Sequence, residues 1–290
     1  MLDSHLPDYD FPIEMIDLEA VKEKQDGWKA DTYKVPSTMA RALVRTDTGA
    51  VLGIHGSKYK PINHADAVDK IMEGAVAFAS ENGLPTPAVD YKMADNGAKL
   101  RGELLFKDVV IEPQKDDIIH FRISFFNSYD QSWAFQSIAD GLRLWCLNGC
   151  TMPVTTARAR FKHTTHVSID GVAKNMSNGL KAFTSLQGVY QQWAEKGIAY
   201  WGVEQFLKKT ICKTFQRSQT HNSVNMFRLE ELLKQYDRES KTLGHTKWAL
   251  YNALTYWSTH TDQLQKPEIT RKRREEDVAK AIATAEWSEL

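Results

Sequence analysis

The sequence predicts an α+β protein, with an antiparallel, β-rich first half that contains one helix and a helical second half. Between residues 99 and 125, apolar and polar side chains alternate with a period of two, which is typical of strands with one buried face. From residue 180 onward, apolar residues recur every three or four positions, which indicates amphipathic helices. We therefore expect an acidic arm over 1–31, an antiparallel α+β domain over 32–169 and a helical region over 170–290 that packs on it.

A hairpin and a helix are expected before the alternating strands. Strands at 42–45 and 51–54 flank a turn in which Gly49 is free to adopt a positive φ. A helix is predicted from Ala65 to about residue 82, where Gly83 ends it. In the alternating strands that follow, we expect the polar side chains to face solvent. Those positions are Lys99, Arg101, Glu103, His120, Arg122 and Ser124.

The composition of the chain excludes several classes of protein. The chain has 37 basic and 37 acidic residues, which argues against a uniformly basic nucleic-acid coat. It has no stretch near the roughly 20 apolar residues that cross a bilayer, and its acidic N-terminus does not resemble a secretory signal. Three cysteines fit a reducing compartment better than a disulfide framework. We expect a cytoplasmic protein with no membrane partner, in the host cytoplasm if a phage encodes it.

The motifs of common enzyme classes are missing. No glycine is followed directly by lysine, so the chain has no phosphate-binding loop of the P-loop type. The G-x-G-x-x-G, G-x-S-x-G and H-E-x-x-H patterns are absent as well. We therefore expect no catalytic residues, no cofactor and no enzymatic activity.

Two metal hypotheses are weaker alternatives. Cys146 and Cys150 precede His163 and His166 at a spacing that resembles a zinc finger, but the histidine pair is one residue too close. On a strand the two histidines would also point to opposite faces. A nuclease would need clustered carboxylates, for which Asp90-x-Lys92 is a weak pattern. We expect no metal site.

Two windows without any acidic residue carry the functional prediction. They span 141–169 and 205–229, and both interleave basic with aromatic residues. Cations that follow a phosphate backbone and aromatic faces that stack on bases are typical of single-strand binding. The candidate contacts are Arg143, Trp145, Arg158, Arg160, Lys162 and His163 for one wall of a groove, and Lys208, Lys209, Lys213 and Arg217 for the other. The stacking candidates are Trp145, Phe161 and Phe215, and Phe206 and Phe227 are the other aromatic residues of the second window.

A structural interpretation of the same residues stays open. Arg158 and Arg160 on a strand could pair with carboxylates of the acidic arm, which has nine acids against three lysines. The lysines near residue 208 could be the solvated side of an amphipathic helix. The arm could also be a mobile segment that competes with nucleic acid for the basic surface.

Four short motifs carry a resemblance to a family. They are Tyr59-Lys60-Pro61-Ile62-Asn63, Asn127-Ser128-Tyr129-Asp130-Gln131-Ser132, Arg143-Leu144-Trp145-Cys146-Leu147-Asn148-Gly149 and Lys162-His163-Thr164. In this order and separation they resemble the phage- and plasmid-borne family numbered 932 among the domains of unknown function, over about residues 30–200. Gln131 stands where that family usually has glycine, and Lys162 where arginine is common.

The resemblance implies a setting in phage replication and recombination or in plasmid transfer. Together with the basic windows it predicts a phage single-stranded DNA-binding protein that works without ATP and anneals strands as a homo-oligomer, similar in role to Redβ and RecT proteins. One alternative is an interaction module that acts on a host protein through the acidic arm. The metal-dependent nuclease is the second alternative.

Overall fold

The structure is a computed structural model that describes residues 8–22, 31–143, 148–150, 158–161, 169–214, 223–260 and 264–290. Antiparallel sheets occupy the N-terminal half and helices the C-terminal half, so the predicted fold class is confirmed.

The elements follow in chain order. The strands are β1 (Ile13–Asp17), β2 (Glu19–Lys22), β3 (Asp31–Lys34), β4 (Arg41–Arg45), β5 (Ala50–His55), β6 (Val89–Ala94), β7 (Lys99–Ile111), β8 (Ile119–Ser128), β9 (Phe135–Arg143), β10 (Asn148–Cys150), β11 (Arg158–Phe161), β12 (Lys213–Thr214) and β13 (Ser223–Val224). The helices are α1 (His64–Glu81), α2 (Ile169–Glu195), α3 (Tyr200–Lys209), α4 (Met226–Leu243), α5 (Lys247–Thr259), α6 (Pro267–Ile282) and α7 (Ala285–Glu289).

The large sheet has the order β10-β9-β8-β7-β6, and β11 also pairs with β9. Its pairings are antiparallel. One face carries the predicted apolar positions, among them Leu104, Phe121 and Ile123, which are fully buried beneath α1 and α2. α2 comes close to the sheet at Gly179, because a Cβ there would lie 2.2 Å from Cβ of Ala139.

The opposite face of this sheet corrects the expectation that its polar side chains face solvent. Arg122 is 0% exposed and Arg101 is 2% exposed, and Lys99 and Ser124 are buried as well. α6 covers part of this face and brings Glu275 into a hydrogen-bonded ion pair with Arg101, 174 residues away in sequence. Alternation establishes that a strand has two faces, but it does not reveal which distant element covers each of them.

A smaller sheet with the order β1-β4-β5 contains the predicted hairpin. β4 and β5 are joined by a turn in which Gly49 has a φ of +73°, as expected. Their register shifts between Leu43 and Val44. Leu43 and Leu52 form a second core cluster with Phe11 and Tyr129.

Part of the predicted acidic arm is built into this sheet. β1 pairs with β4 along its length, and Phe11 is 9% exposed. The Arg45 guanidinium lies 3.9 Å from the centre of the Phe11 ring. β2 pairs with β3 in a separate two-stranded ribbon. The described part of the arm is therefore strand structure that contributes a core residue.

The helical half is organised by aromatic side chains. Tyr190 of α2 packs 4.9 Å from Trp248 and 5.5 Å from Tyr251, both on α5. Trp287 of α7 meets Trp193 edge-on at 5.0 Å. These residues belong to the same core cluster as the apolar face of the large sheet, so the helical region packs on the β-rich half.

Candidate nucleic-acid interface

Much of the first predicted wall lies outside the described side chains. Trp145, Lys162 and His163 fall outside the described residues, as does Arg217 of the second wall. For Arg143, Arg158 and Arg160 the structure gives the backbone pairing. Both Arg158 and Arg160 lie on β11, which pairs with β9. Arg158 is opposite Ile138, and Arg160 is opposite Gln136. Arg143 ends β9, opposite Ile119 of β8.

The lysines of the second wall lie where α3 meets the β12–β13 hairpin. Lys208 and Lys209 occupy the last turn of α3, where a positive charge is favourable to the helix dipole. Lys208 is engaged, with its Nζ 2.5 Å from Oε1 of Glu204. Lys209 and Lys213 are exposed, and neither has a carboxylate within 4.0 Å among the described residues. These two positive charges are therefore uncompensated at close range.

α4 begins directly beside this hairpin. The backbone N–H of Asn225 donates to the carbonyl of Cys212, and the Asn225 side chain caps α4 by accepting from the N–H of Arg228 at 3.0 Å. Arg228 Nη1 donates to the carbonyl of Ile211 at 2.9 Å. This arrangement places Phe227 at the surface, where it is 80% exposed.

The aromatic residues of this window divide into two groups. Phe206 is 2% exposed and belongs to the hydrophobic core, so it is not available to a ligand. Phe227 is exposed to solvent, although burial would normally favour so large an apolar side chain. Of the two, only Phe227 can stack on a base without unfolding.

Sequence reasoning missed two further cations, Arg273 and Arg274, both on α6. Arg228 and Arg274 both lie against the ring of Trp257, at 5.3 Å and 4.3 Å from its centre. Burial lowers the pKa of Arg274. The negative charge of Glu231 acts to raise that pKa, while the positive charges of Arg228 and Arg273 act to lower it further. Arg273 is exposed and has no carboxylate within 4.0 Å in the described part of the chain.

The signal for these cations was the run Arg271-Lys272-Arg273-Arg274. A search for windows without acids passes over it, because Glu275, Glu276 and Asp277 follow at once. The helix separates Arg273 from Glu275 in space, since Glu275 is buried against the sheet while Arg273 faces solvent. We use the name basic surface for Lys209, Lys213, Phe227, Arg228, Arg273 and Arg274.

A second charged region, between the large sheet and α6, has a different character. We call it the ionic layer, and it consists of Arg101, Glu103, Arg122, Asp140, Glu268, Arg271 and Glu275. Arg122 binds both oxygens of Asp140, at 2.6 Å and 2.8 Å. Arg101 binds both oxygens of Glu275, at 3.0 Å and 2.9 Å. Glu103 accepts from Arg122 and Arg271.

The pKa directions of Arg122 and Glu103 agree with this pairing, whereas burial outweighs the attraction of Arg122 at Asp140 and raises the pKa of that carboxyl to about 6. Burial acts against the charged form of Arg122, but Asp140 and Glu103 raise its pKa well above the usual value. Burial also acts against ionised Glu103, yet Arg122 and Arg101 hold its pKa below the usual range. The arginines of the ionic layer are thus neutralised by their own carboxylates, whereas several cations of the basic surface are not.

The metal hypotheses find no support in the described residues. Across the described ranges no three His, Cys, Asp or Glu side chains are close enough to hold a metal ion. Lys92 Nζ lies 3.8 Å from Glu268, at the edge of the ionic layer. Three of the four proposed zinc ligands, Cys146, His163 and His166, lie outside the described residues.

The first two family motifs meet in space. Asn127 donates to the carbonyl of Ile62 at 2.8 Å, and the Tyr129 hydroxyl accepts from the N–H of His64 at 2.9 Å. Asn127 also contacts His64 Nδ1 at 3.0 Å. These contacts join the end of β8 to the start of α1, which gives the motifs a structural role.

Fold and surface together define an α+β protein with an uncompensated cationic and aromatic surface on its helical half. The chain belongs to the family described as Domain of unknown function (DUF932), whose model matches residues 51–287. The match begins at residue 51, later than the start of the range predicted from the motifs, 30–200, and it extends beyond that range to residue 287. It therefore includes the whole basic surface. No curated protein and no solved structure matches the chain. Among the described residues no helix has the length and apolar character to cross a membrane.

Proposed function

We propose that this protein binds single-stranded DNA through the basic surface. The observation that carries the proposal is the ring of Phe227, which is 80% exposed. It belongs to a surface on which Lys209, Lys213 and Arg273 have no carboxylate within 4.0 Å among the described residues. Lys213 lies on β12, directly after Cys212, whose carbonyl accepts a hydrogen bond from the N–H of Asn225 at the start of α4. Arg228 follows Phe227 directly in α4. Cations attract phosphates, and an exposed ring offers a stacking face to an unpaired base.

A single strand fits this surface better than a duplex. The bases of a duplex already stack on one another, so a surface phenylalanine gains contact with them only if the duplex opens. An extended single strand exposes both its phosphates and the faces of its bases. Arg143, Trp145, Arg158, Arg160, Lys162 and His163 remain the proposed first wall of the groove, with Lys208 and Arg217 beside the basic surface.

The wider role we propose is DNA replication or recombination in the cytoplasm, in a phage-infected host if a phage encodes the chain. Annealing of complementary strands needs no chemical step, since it requires only that strands are held with their base edges exposed. This fits a chain that has no Gly-Lys phosphate loop. A homo-oligomer would join short binding grooves end to end.

A salt titration of binding tests the proposal. Fluorescence anisotropy with a labelled single-stranded oligonucleotide should give a log–log slope of affinity against salt near −3 to −6, as expected for about 4–8 neutralised phosphates. The same sequence as a duplex is the matched control and should bind more weakly. A slope near zero, or no binding at about 50 mM salt, would contradict the proposal. Strand cleavage that needs Mg²⁺ or Mn²⁺ would instead support the nuclease alternative.

A further inference from the structure

The small sheet β1-β4-β5 has two open edges. β4 lies in the middle and pairs with both neighbours, and in the described part of the chain no strand pairs with the outer edge of β1 or β5. An open edge presents a row of unpaired N–H and C=O groups that can pair with another strand. Because β1 and β5 are each antiparallel to β4, they run parallel to one another.

The strand β5 lacks the charged residues that commonly protect an edge. Its sequence, Ala-Val-Leu-Gly-Ile-His, contains no lysine, glutamate, aspartate or proline. Natural proteins place such residues on edge strands to prevent pairing between molecules. β5 is therefore competent to pair with a further strand.

The face of the sheet opposite the second core cluster is apolar except for the exposed Glu14 of β1, and Ala42 at its centre is buried. The pairing register aligns Ile16 of β1, Ala42 of β4 and Ile54 of β5 in one row across the three strands. Residues in register point to the same face of a sheet. Ile16 and Ile54 are 39% and 61% exposed, and Val51 of β5 is 63% exposed. The sheet thus exposes apolar side chains on this face while its other face packs in the second core cluster.

Charge at the two edges is complementary. Asp17 ends β1, and its side chain is 71% exposed although it also pairs with Arg41 of β4 at 3.2 Å. Lys58 and Lys60 are exposed and follow the end of β5. Since β1 and β5 are parallel, both strands end on the same side of the sheet. A β1 edge set beside a β5 edge would therefore bring Asp17 towards Lys58 and Lys60, and Ile16 towards Ile54.

We propose that this sheet is an assembly surface for a second copy of the chain, in which β5 of one protomer pairs with β1 of the next. The contact uses two different edges, so it is head-to-tail and repeats into a ring or an open filament. It extends the apolar row from one protomer to the next. The interface is independent of DNA binding and of the basic surface, and β1 precedes the residues that the family match covers.

Mass measurement on the purified full-length chain tests the assembly. Light scattering should give a mass that is a multiple of 33.0 kDa and rises with concentration, without DNA. Ile54→Lys and Ile16→Lys should each give monomers, because a charged side chain then replaces an apolar one at the contact. The control is Val110→Lys, another residue exposed to a similar degree, which should assemble as the native chain does. Circular dichroism should show that all variants remain folded.

Mixing the two monomeric variants distinguishes this interface from others. The Ile54→Lys chain keeps a native β1 edge, and the Ile16→Lys chain keeps a native β5 edge. Their mixture should form a species of two chains, because one intact pair of edges remains, while neither variant alone should do so. A mixture that stays monomeric, or a native chain that is monomeric at all concentrations, would overturn the proposal. Because no DNA is present, this result is independent of whether the basic surface binds single-stranded DNA.

Discussion

Phe227 differs in its solvent exposure from other large aromatic residues of the helical half. Trp248, Tyr251 and Tyr236 are fully buried, while Phe227 is exposed at the start of α4. Burial of a phenylalanine side chain is worth about 1.5–3 kcal/mol, a gain that the folded monomer leaves unused here. A ligand that covers the ring would recover part of it.

We expect Phe227→Ala to weaken single-strand binding by about 1–3 kcal/mol, the range for loss of one stacked base. Titration by fluorescence anisotropy at constant salt measures the change. Tyr33→Ala is the control, because Tyr33 is an aromatic residue that is 57% exposed on β3, away from the basic surface. Equal affinities for the two variants would remove Phe227 from the interface.

Lys209 and Lys213 should act through charge alone. Each neutralised phosphate changes the log–log salt slope by about 0.7 for single strands, so Lys209→Gln with Lys213→Gln should make the slope shallower by about 1.4. Lys107→Gln with Lys115→Gln removes the same charge from exposed positions that do not belong to the basic surface. If the control variant made the salt slope shallower by the same amount, the effect of Lys209 and Lys213 would be one of total charge and not of contact with the DNA.

At the scale of elements, the ionic layer holds the N-terminal part of α6 on the sheet. Glu275 is 7% exposed and accepts two hydrogen bonds from Arg101, which is itself buried. Glu275→Gln should lower the free energy of unfolding at neutral pH by up to about 3–5 kcal/mol, because buried Arg101 then keeps only Glu103 and Glu268 as negatively charged partners. Urea denaturation measures the effect. Glu73→Gln, which breaks an exposed pair with Lys70, should cost less than about 1 kcal/mol.

The same layer makes stability depend on acid pH. Burial opposes the charge on Glu103 and Glu275, but the surrounding arginines hold the pKa of each below the usual value. A carboxylate with a lowered pKa stabilises the fold fully above the unfolded value of about 4.3, and that stabilisation is lost as pH falls further. The native chain should therefore lose stability steeply below about pH 4.3, and Glu275→Gln should show a shallower loss. Parallel pH profiles for the two chains would contradict this assignment.

The N-terminal segment gives a second prediction at this scale. Deleting residues 1–17 removes β1 and Phe11, which packs with Leu43 and Leu52. Loss of a buried phenylalanine costs about 3–5 kcal/mol, so the melting temperature should fall by about 6–20 °C. Affinity for DNA should not rise. Tighter DNA binding with an unchanged melting temperature would support the competing-arm hypothesis instead.

At the scale of the whole molecule, charge is sorted by position although the chain is neutral overall. The ionic layer pairs its arginines with carboxylates inside the molecule, while Lys209, Lys213 and Arg273 remain exposed without close partners among the described residues. Net charge therefore has little value for predicting this interface. The arrangement of charges in space decides which cations are available to a ligand.

Strand annealing is the whole-molecule prediction. Complementary single strands mixed with the native chain should pair faster than without it, and ATP should not change the rate, because the sequence has no P-loop. Loss of fluorescence from a labelled pair of strands measures the rate. Dependence on ATP would contradict this mechanism.

The local pattern of residues determined much of the fold. The hairpin around Gly49, the helix that ends before Gly83 and the alternating strands follow from backbone sterics and side-chain periodicity, which act over a few residues. The same reasoning identified Lys209 and Lys213 as candidate contacts, whereas Phe227 was singled out only by its exposure in the structure. Local pattern also indicated family membership, although the match extends beyond the predicted range to residue 287.

Only the tertiary structure decided which of these groups are available. Arg101 and Arg122 alternate with apolar residues as a solvent-facing set would, yet both are buried. Arg101 pairs with Glu275 of α6, from the far end of the chain, and Arg122 pairs with Asp140 of β9. Phe206 and Phe227 occur in one basic window, but one is core and the other is exposed. Arg273 joins the basic surface although acids follow it in sequence. The physical reason is that burial and ion pairing are set by contacts between elements remote in sequence, which local periodicity does not encode.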